Sequence, residues 1–186
     1  MDRELVRFSK FMSLVLRHKP DAYGLALDAQ GWASLEDLIA AANRAGLPLT
    51  RAIAEQAVAQ NEKQRFAISE DGLRIRARQG HSVTVDLGLL PVEPPELLYH
   101  GTAERSLESI RAQGLLRGAR QHVHLSPDAQ TARTVGQRHG RPVILVVNSA
   151  AMHRAGHPFY RSENGVWLVD AVPVQYLQFP DEKRPD

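Results

Sequence analysis

A proline-containing segment near the middle of the sequence separates two stretches that must fold around different cores. Pro91, Pro94 and Pro95 fall between residues 82 and 96, where no helical period is sustained, and such a segment is typical of a connection rather than of a core element. With 186 residues in total, each flanking stretch has the length of a small domain. We therefore predict a first lobe over residues 1–82, a linker over 83–96 and a second lobe over 97–186.

The first lobe has the pattern of three helices followed by a hairpin. Apolar residues recur at helical spacing up to Leu16, and Ser34 and Thr50 stand where the N-caps of two further helices are expected. Two short alternating stretches then flank a Ser-Glu-Asp-Gly turn. The predicted elements are helices over residues 4–16, 35–45 and 51–60 and strands over 65–68 and 73–76. Together they predict a winged helix.

The second lobe mixes short apolar strands with helices. No strand is followed by a glycine-rich dinucleotide fingerprint or by a Walker loop, so neither common nucleotide-binding fold is indicated. The pattern predicts strands over 97–99, 123–125, 143–147, 166–169 and 174–179 and helices over 105–113 and 128–138. The fold class that this order indicates is α+β.

Composition excludes several classes of function. The sequence has no cysteine, which excludes disulfides, thiolate nucleophiles and cysteine-based metal sites. Its net charge is only +2, and neither half is a polycation, so general coating of nucleic acid is not expected. No apolar run approaches the length of a membrane span, and the first residues lack a signal-peptide core. We therefore expect a cytoplasmic protein without a membrane partner.

Six short motifs carry the residue types that chemistry needs. They are Arg17-His18-Lys19-Pro20, Arg65-Phe66, Gln79-Gly80-His81-Ser82, Tyr99-His100-Gly101-Thr102, Arg120 followed by His122-Val123-His124-Leu125-Ser126, and Glu163-Asn164-Gly165-Val166-Trp167. In this order and spacing they resemble the signatures of the RNA 2′-phosphotransferase family over residues 5–180. That family joins a winged-helix lobe to an ADP-ribosyltransferase-like lobe, so the resemblance implies the same division of the chain.

The resemblance implies a catalytic tetrad at Arg17, His18, Arg65 and Arg120. An RNA 2′-phosphate is a dianion, and guanidinium groups can neutralise and orient it without ever losing their charge. Without the motif context, Arg17 and His18 could equally stabilise the C-terminus of their helix, and the other two arginines could be solvated surface residues.

The resemblance also implies a binding site for NAD⁺. His100 would contact the ribose next to nicotinamide, Gly101 would pair its backbone with the nicotinamide amide, and Thr102 completes this element. His124 would lie where related transferases stack an aromatic ring on nicotinamide, and Ser126 would face the ribose. No metal ion is implied, since the neighbouring histidines lack a companion carboxylate or cysteine pattern.

One acidic residue could be mistaken for a catalytic acid. Many ADP-ribosyltransferases carry a late Glu that handles the ribose hydroxyls of NAD⁺. In the resembling family the corresponding position is apolar, here Val166, and Glu163 lies just before it. We interpret Glu163 as a structural or rim residue.

The resemblance implies that NAD⁺ is a co-substrate and that the partner is a tRNA-like RNA with an internal 2′-phosphate, without an obligatory protein partner. The 2′-phosphate would pass through RNA-2′-phospho-ADP-ribose to ADP-ribose 1″,2″-cyclic phosphate, as in tRNA processing.

Two alternative functions stay open. A winged-helix transcription regulator should present a basic recognition helix, whereas residues 51–60 contain one cation and one acid. A transferase that leaves ADP-ribose on protein or nucleic acid would need the same NAD⁺ site and lack only the second step.

Overall fold

The computed structural model describes residues 3–180. The chain divides into two units, Met1–Gly88 and Leu89–Asp186, and each has its own buried hydrophobic cluster. Helices and antiparallel sheets occur in both units, so the predicted α+β class is confirmed. The identification of the units as a winged helix and an ADP-ribosyltransferase-like lobe stays a prediction. Within residues 3–180 no helix combines the length and the apolarity that crossing a membrane requires.

The first unit consists of three helices and a three-stranded antiparallel sheet. Its elements are α1 (Arg3–Arg17), β1 (Trp32–Ser34), α2 (Leu35–Arg44), α3 (Arg51–Ala59), β2 (Phe66–Ile68) and β3 (Arg74–Ala77), with the strand order β1-β3-β2. Ser34 Oγ accepts a hydrogen bond from the Asp37 amide at 3.2 Å, and Thr50 Oγ1 accepts one from the Ile53 amide at 3.3 Å. Both predicted N-caps are therefore confirmed.

The core of the first unit is organised by the apolar face of α1. Phe8, Met12, Val15 and Leu16 are at most 1% exposed, and they pack in one cluster with residues of α2, α3 and the sheet. Full burial of side chains of this size stabilises the fold by roughly 1.5–3 kcal/mol each. A helix held along its whole length has little freedom at its end, where Arg17 lies.

The second unit is built from short strands and helices. Its elements are β4 (Leu98–Ala103), α4 (Leu107–Gln113), β5 (Leu115–Leu116), β6 (Val123–Leu125), α5 (Ala129–Gly136), β7 (Pro142–Val147), α6 (Ser149–Arg154), β8 (Tyr160–Arg161), β9 (Trp167–Val169), β10 (Ala171–Val172) and β11 (Leu177–Gln178). The sheets have the orders β11-β7-β4, β6-β9-β8 and β10-β5. An antiparallel bridge between Tyr99 and Ser126 joins the start of β4 to the end of β6.

Several elements differ from the predictions. The short elements β1, β5, β8, β10 and α6 were not predicted. Residues 174–176 form a 3₁₀ turn rather than the start of a strand, since the Tyr176 amide donates to the Pro173 carbonyl at 3.1 Å. β4 extends through Ala103 because it pairs with β7 over its whole length.

Candidate functional site

The C-terminus of α1 carries the first two predicted site residues. A carbonyl at a helix end has no partner inside the helix, but the Arg17 carbonyl accepts hydrogen bonds from the Ser82 amide at 2.9 Å and the Val83 amide at 3.4 Å. The segment that follows the sheet therefore caps the helix that ends in Arg17.

The Arg17 side chain is held in a nearly buried position. It is 9% exposed, its Nη1 donates to Ser13 Oγ at 3.2 Å, and its Cζ lies 5.9 Å from the centroid of the Phe66 ring. Phe66 directly follows Arg65 in the chain. The Arg17 side chain therefore packs beside the start of β2.

His18 is exposed, but its ring is oriented by a neighbouring hydroxyl. Its Nδ1 lies 2.9 Å from Ser82 Oγ, and this hydroxyl donates to the Arg17 carbonyl at 3.4 Å. With its hydrogen directed at the carbonyl, the hydroxyl oxygen accepts the Nδ1–H of His18. Nε2 is then the ring nitrogen whose protonation can change during a reaction.

Arg65 is half-buried at the entrance to β2. Its amide donates to Asn61 Oδ1 at 3.4 Å, and the buried Asn61 donates from Nδ2 to Ser9 Oγ on α1 at 3.1 Å. The Arg65 carbonyl accepts the Arg78 amide at 2.9 Å. The start of β2 is thus tied both to α1 and to the chain that follows β3.

His81 is a buried titratable residue beside these cations. It is 1% exposed, and neither ring nitrogen has a hydrogen-bond partner within residues 3–180. Burial, and then the charges of Arg17, His18 and Arg76, lower the pKa of His81 to about 4. At neutral pH His81 is therefore uncharged and adds no further repulsion between the cations around it.

In the second unit, predicted residues of β4 and β6 lie side by side. His100 Nδ1 donates to the His124 carbonyl at 2.9 Å, since a carbonyl oxygen can only accept. Tyr99 and Ser126 exchange backbone hydrogen bonds of 2.9 and 2.8 Å. These contacts fix the His100 ring and place His124 and Ser126 next to the first half of β4.

Arg120 joins this group through a direct contact with His124. Arg120 Nη1 lies 3.1 Å from His124 Nδ1. Because a guanidinium only donates, His124 Nδ1 must accept, which makes His124 neutral with its hydrogen on Nε2. Partial burial, and then the charge of Arg138, lower the pKa of Arg120, but a guanidinium stays protonated at neutral pH.

Gly101 has no room for a side chain. A Cβ at this position would overlap the Ala132 backbone of α5 and approach the Gly136 amide to 2.9 Å. A Cβ at Gly136 would in turn lie 2.9 Å from the carbonyl oxygen of Thr102, a residue that is 8% exposed. The close approach that glycine permits here is between β4 and α5; binding of nicotinamide by the Gly101 backbone stays a prediction.

His122 stands apart from the His124 contacts. Its Nε2 lies 3.9 Å from Asp170 Oδ1, and its ring centroid lies 5.8 Å from that of Tyr160. Burial lowers the pKa of His122, although Asp170 opposes this shift. No three His, Asp or Glu side chains in the part of the chain that the structure describes are grouped as ligands of a metal ion would be.

Glu163 is exposed in the turn between β8 and β9. The turn is stabilised by Ser162, whose Oγ donates to Asn164 Oδ1 at 2.7 Å and accepts from the Val166 amide at 3.1 Å. Ser162 is 3% exposed, so the buried polar group of this turn is a serine rather than the carboxylate.

Sequence reasoning missed the contribution of Ser82 to the candidate site. Its hydrogen bond with His18 joins residues 64 positions apart, a contact that no local pattern reveals. The available signal was the Gln79-Gly80-His81-Ser82 motif itself. Asn61 was missed for the same reason, because its hydrogen bond to Ser9 is also made through the fold.

Comparisons with known proteins point to one family. The model of the "RNA 2'-phosphotransferase, Tpt1 / KptA family" matches residues 3–171. Three similar proteins are each named "Probable RNA 2'-phosphotransferase". The protein of Agrobacterium fabrum is 59% identical over 169 residues, 91% of either chain. That of Rhodopirellula baltica is 54% identical over 180 residues, 96% of this chain and 98% of its own. That of Escherichia coli is 51% identical over 179 residues, 96% of this chain and 97% of its own. The resemblance carried by the six motifs is thereby confirmed.

Proposed function

This chain belongs to the RNA 2′-phosphotransferase family, and we propose that it transfers an internal 2′-phosphate of RNA to NAD⁺. The products are RNA with a free 2′-hydroxyl, nicotinamide and ADP-ribose 1″,2″-cyclic phosphate. The family match supports removal of the RNA 2′-phosphate. The observation that carries the proposed chemistry is the end of α1, where an oriented imidazole follows a nearly buried guanidinium.

The proposed role of the three arginines is to bind the 2′-phosphate dianion. Arg17, Arg65 and Arg120 remain charged at any physiological pH. Each charge-assisted hydrogen bond to a phosphate oxygen contributes roughly 1.5–3 kcal/mol. His18 adds a donor whose proton can be given away, which an arginine cannot do.

In the first proposed step, an oxygen of the bound 2′-phosphate attacks C1″ of the NAD⁺ ribose. A bond forms between this phosphate oxygen and C1″. The bond from C1″ to nicotinamide breaks, and its electron pair leaves with neutral nicotinamide. The transition state has cationic character at C1″. The arginines therefore act here mainly by holding the phosphate in line with the bond that breaks.

In the second proposed step, the ribose 2″-hydroxyl releases its proton to solvent as its oxygen, O2″, attacks the phosphorus of RNA-2′-phospho-ADP-ribose. The bond from phosphorus to the RNA 2′-oxygen breaks, and this oxygen takes a proton. Negative charge grows on the phosphoryl oxygens and on the leaving oxygen, where Arg17, Arg65 and Arg120 stabilise it. His18 supplies the proton from Nε2 while Ser82 holds Nδ1–H.

The polar residues of β4 and β6 suit the nicotinamide end of NAD⁺. His124 is neutral because Arg120 donates to its Nδ1, so its ring can stack on a cationic pyridinium without adding a like charge. His100 is fixed by the His124 carbonyl, and its proposed role is to contact a ribose hydroxyl of NAD⁺. Gly101, Thr102 and Ser126 supply the further backbone and hydroxyl groups of the proposed NAD⁺ site.

The test is a reaction with a synthetic RNA that carries one internal 2′-phosphate. Incubation of this RNA with the enzyme and NAD⁺, in the presence of a chelator, should release nicotinamide and cyclic phosphate in equal amounts. The matched control is the same RNA with a 2′-hydroxyl, which should consume no NAD⁺. If a cofactor-stripped enzyme removed the 2′-phosphate from the RNA completely without added NAD⁺, the proposal would be refuted. A stable end product that keeps ADP-ribose on the RNA would instead identify a transferase that lacks the second step.

A further inference from the structure

A winged-helix protein would use α3 on nucleic acid, but the cation of this helix already has partners within the protein. The cation of α3 is Arg51, and its Nη1 donates to the Gly72 carbonyl at 2.8 Å. Its guanidinium also pairs with Glu36 at 3.3 Å and with Glu55 at 3.7 Å. A phosphate that approached Arg51 would have to displace two carboxylates. The surface of α3 thus offers RNA a single cation that is already paired with two carboxylates.

Strand alternation gives the sheet of the first unit one apolar and one cationic face. Ala33, Phe66, Ile75 and Ala77 are at most 2% exposed and face the core. Their neighbours in the strands consequently face the opposite side. The cationic face consists of Trp32 and Arg74, Arg76, Arg78 and Arg65, and we call it the arginine face.

The strand register makes the arginine face continuous. Arg76 pairs with Trp32 on one side and with Ala67 on the other, in the middle of the sheet. Arg74 pairs with Ser34, and the Arg78 amide binds the Arg65 carbonyl. Arg74 and Arg76 of β3, Arg78 directly after β3 and Arg65 directly before β2 thus form a row of guanidinium-bearing positions.

Trp32 holds two of these guanidinium groups in place. The Cζ of Arg76 lies 4.6 Å from the centroid of the Trp32 ring, and that of Arg74 lies 5.3 Å away. Stacking restricts the motion of both side chains before any ligand binds, so less conformational entropy is lost on binding. Asp28 lies 3.8 Å from Arg74 in an exposed ion pair. Such a pair contributes little to stability, so a phosphate can replace Asp28 as the partner of Arg74.

We propose that the arginine face binds the phosphodiester backbone of the RNA strand next to the 2′-phosphate. This inference rests on the proposed function, in which Arg65, a member of the arginine face, binds the 2′-phosphate itself. A row of cations that begins at Arg65 matches the row of anions that begins at the 2′-phosphate. Guanidinium forks suit phosphate oxygens, and contacts of this kind are independent of base sequence.

The test compares a long and a short RNA that carry the same internal 2′-phosphate. The long RNA has about 15 nucleotides, in the range that single-strand grooves cover, and the short one is a trinucleotide. The variant is Arg74→Gln, because Arg74 is exposed and has no role in the proposed chemistry. We expect kcat/KM for the long RNA to fall on the order of fivefold more than kcat/KM for the trinucleotide. The salt dependence of kcat/KM for the long RNA should weaken by about 0.7 in log–log slope.

The matched control is Arg7→Gln, which removes the same charge from an exposed position of α1. This variant should keep the wild-type preference for the long RNA and the wild-type salt slope. If Arg74→Gln affects both RNAs equally, or if Arg7→Gln reproduces its effect, the arginine face does not bind the flanking backbone. Circular dichroism of both variants establishes that the fold is kept.

A binding measurement separates this proposal from the proposed function. Fluorescence anisotropy with a long RNA that lacks the 2′-phosphate needs neither NAD⁺ nor turnover. Wild-type protein should bind this RNA with a steeper salt slope than Arg74→Gln does. If the binding difference is found and no 2′-phosphate is removed, the proposed function fails and the arginine face stands. If removal occurs and the difference is absent, the arginine face fails and the function stands.

Discussion

Four histidines, two in each unit, have a protonation state that is set by different neighbours. His18 and His100 each donate from Nδ1, to a hydroxyl and to a carbonyl respectively. His124 accepts at Nδ1 because its partner is a guanidinium. His81 is kept neutral by burial among cations. One residue type thus occurs in four different polar environments.

Ser82 is expected to act through His18 as a positioning residue. In Ser82→Ala the His18 ring loses the acceptor for its Nδ1–H, so the second step should slow by roughly five- to tenfold, which corresponds to one hydrogen bond of about 1–1.5 kcal/mol. The first step should change less because it needs no proton transfer. Rapid-quench kinetics of both steps and ¹⁵N NMR of the His18 tautomer provide the measurements.

The control for this prediction is Ser82→Thr, which keeps a hydroxyl at the same position. It should retain the His18 tautomer and most of the rate of the second step. Identical His18 spectra in Ser82→Ala and wild type would show that the hydroxyl does not orient the ring.

At the scale of elements, His81 lies where several parts of the first unit meet. A Cβ built on Gly31 would lie 3.3 Å from His81 Nε2, and the charges that act on His81 come from the end of α1 and from β3. The buried ring therefore separates these elements without a hydrogen bond to any described residue. Protonation would place a further positive charge beside Arg17 and Arg76.

The buried His81 predicts that stability decreases in mild acid. Its pKa is about 4 in the folded protein and 6.5 in the unfolded chain, so the unfolded chain binds more protons between these values. The free energy of unfolding should be fully kept above the unfolded pKa and should fall as the pH drops toward 4. Between about pH 7 and pH 5, this residue alone should lower the free energy of unfolding by roughly 2 kcal/mol.

The comparison is with His81→Gln, which cannot titrate. Urea unfolding followed by Trp32 fluorescence, with Trp167→Phe in both proteins, reports on the first unit. The free energy of unfolding of the variant is expected to be lower than that of wild type at neutral pH. On acidification it should fall by about 2 kcal/mol less than that of wild type. Equal losses in the two proteins would mean that His81 is already protonated or is solvated in the folded state.

The elements that the sequence predicts are those with strong local signals. Helical spacing and the caps at Ser34 and Thr50 identify α2 and α3, and period-two alternation identifies β2 and β3. β1 is missed because three residues carry no period, although it brings Trp32 beside Arg76. The contact of Ser82 with His18 is missed because tertiary packing creates it. The motifs predict which residues belong to the candidate site, whereas their hydrogen-bond partners require the structure.

At the scale of the whole molecule, the proposed tetrad is divided between the two units. Arg65 belongs to the first unit and Arg120 to the second. In the proposed second step both stabilise charge that exists only in the transition state. Arg65→Ala and Arg120→Ala should therefore each accumulate RNA-2′-phospho-ADP-ribose, with the second step slowed on the order of tenfold more than the first, about 1.4 kcal/mol. A time course with radiolabelled 2′-phosphate resolves substrate, intermediate and product. Equal slowing of both steps without an intermediate would limit these arginines to binding.

A double-mutant cycle tests whether the two units act on one phosphate. If Arg65 and Arg120 hold the same dianion, removing one already weakens the orientation that the other stabilises, so the two losses in the rate of the second step should not add. We expect the double variant to be less impaired than the sum of the single variants, with an interaction energy of about 0.5–3 kcal/mol. The control pair is Arg65→Ala with Arg154→Ala, since Arg154 is exposed on α6, and these losses should add to within about 0.5 kcal/mol. Additivity in both pairs would mean that Arg65 and Arg120 contribute to different parts of the reaction, and the assignment of a shared phosphate would be wrong.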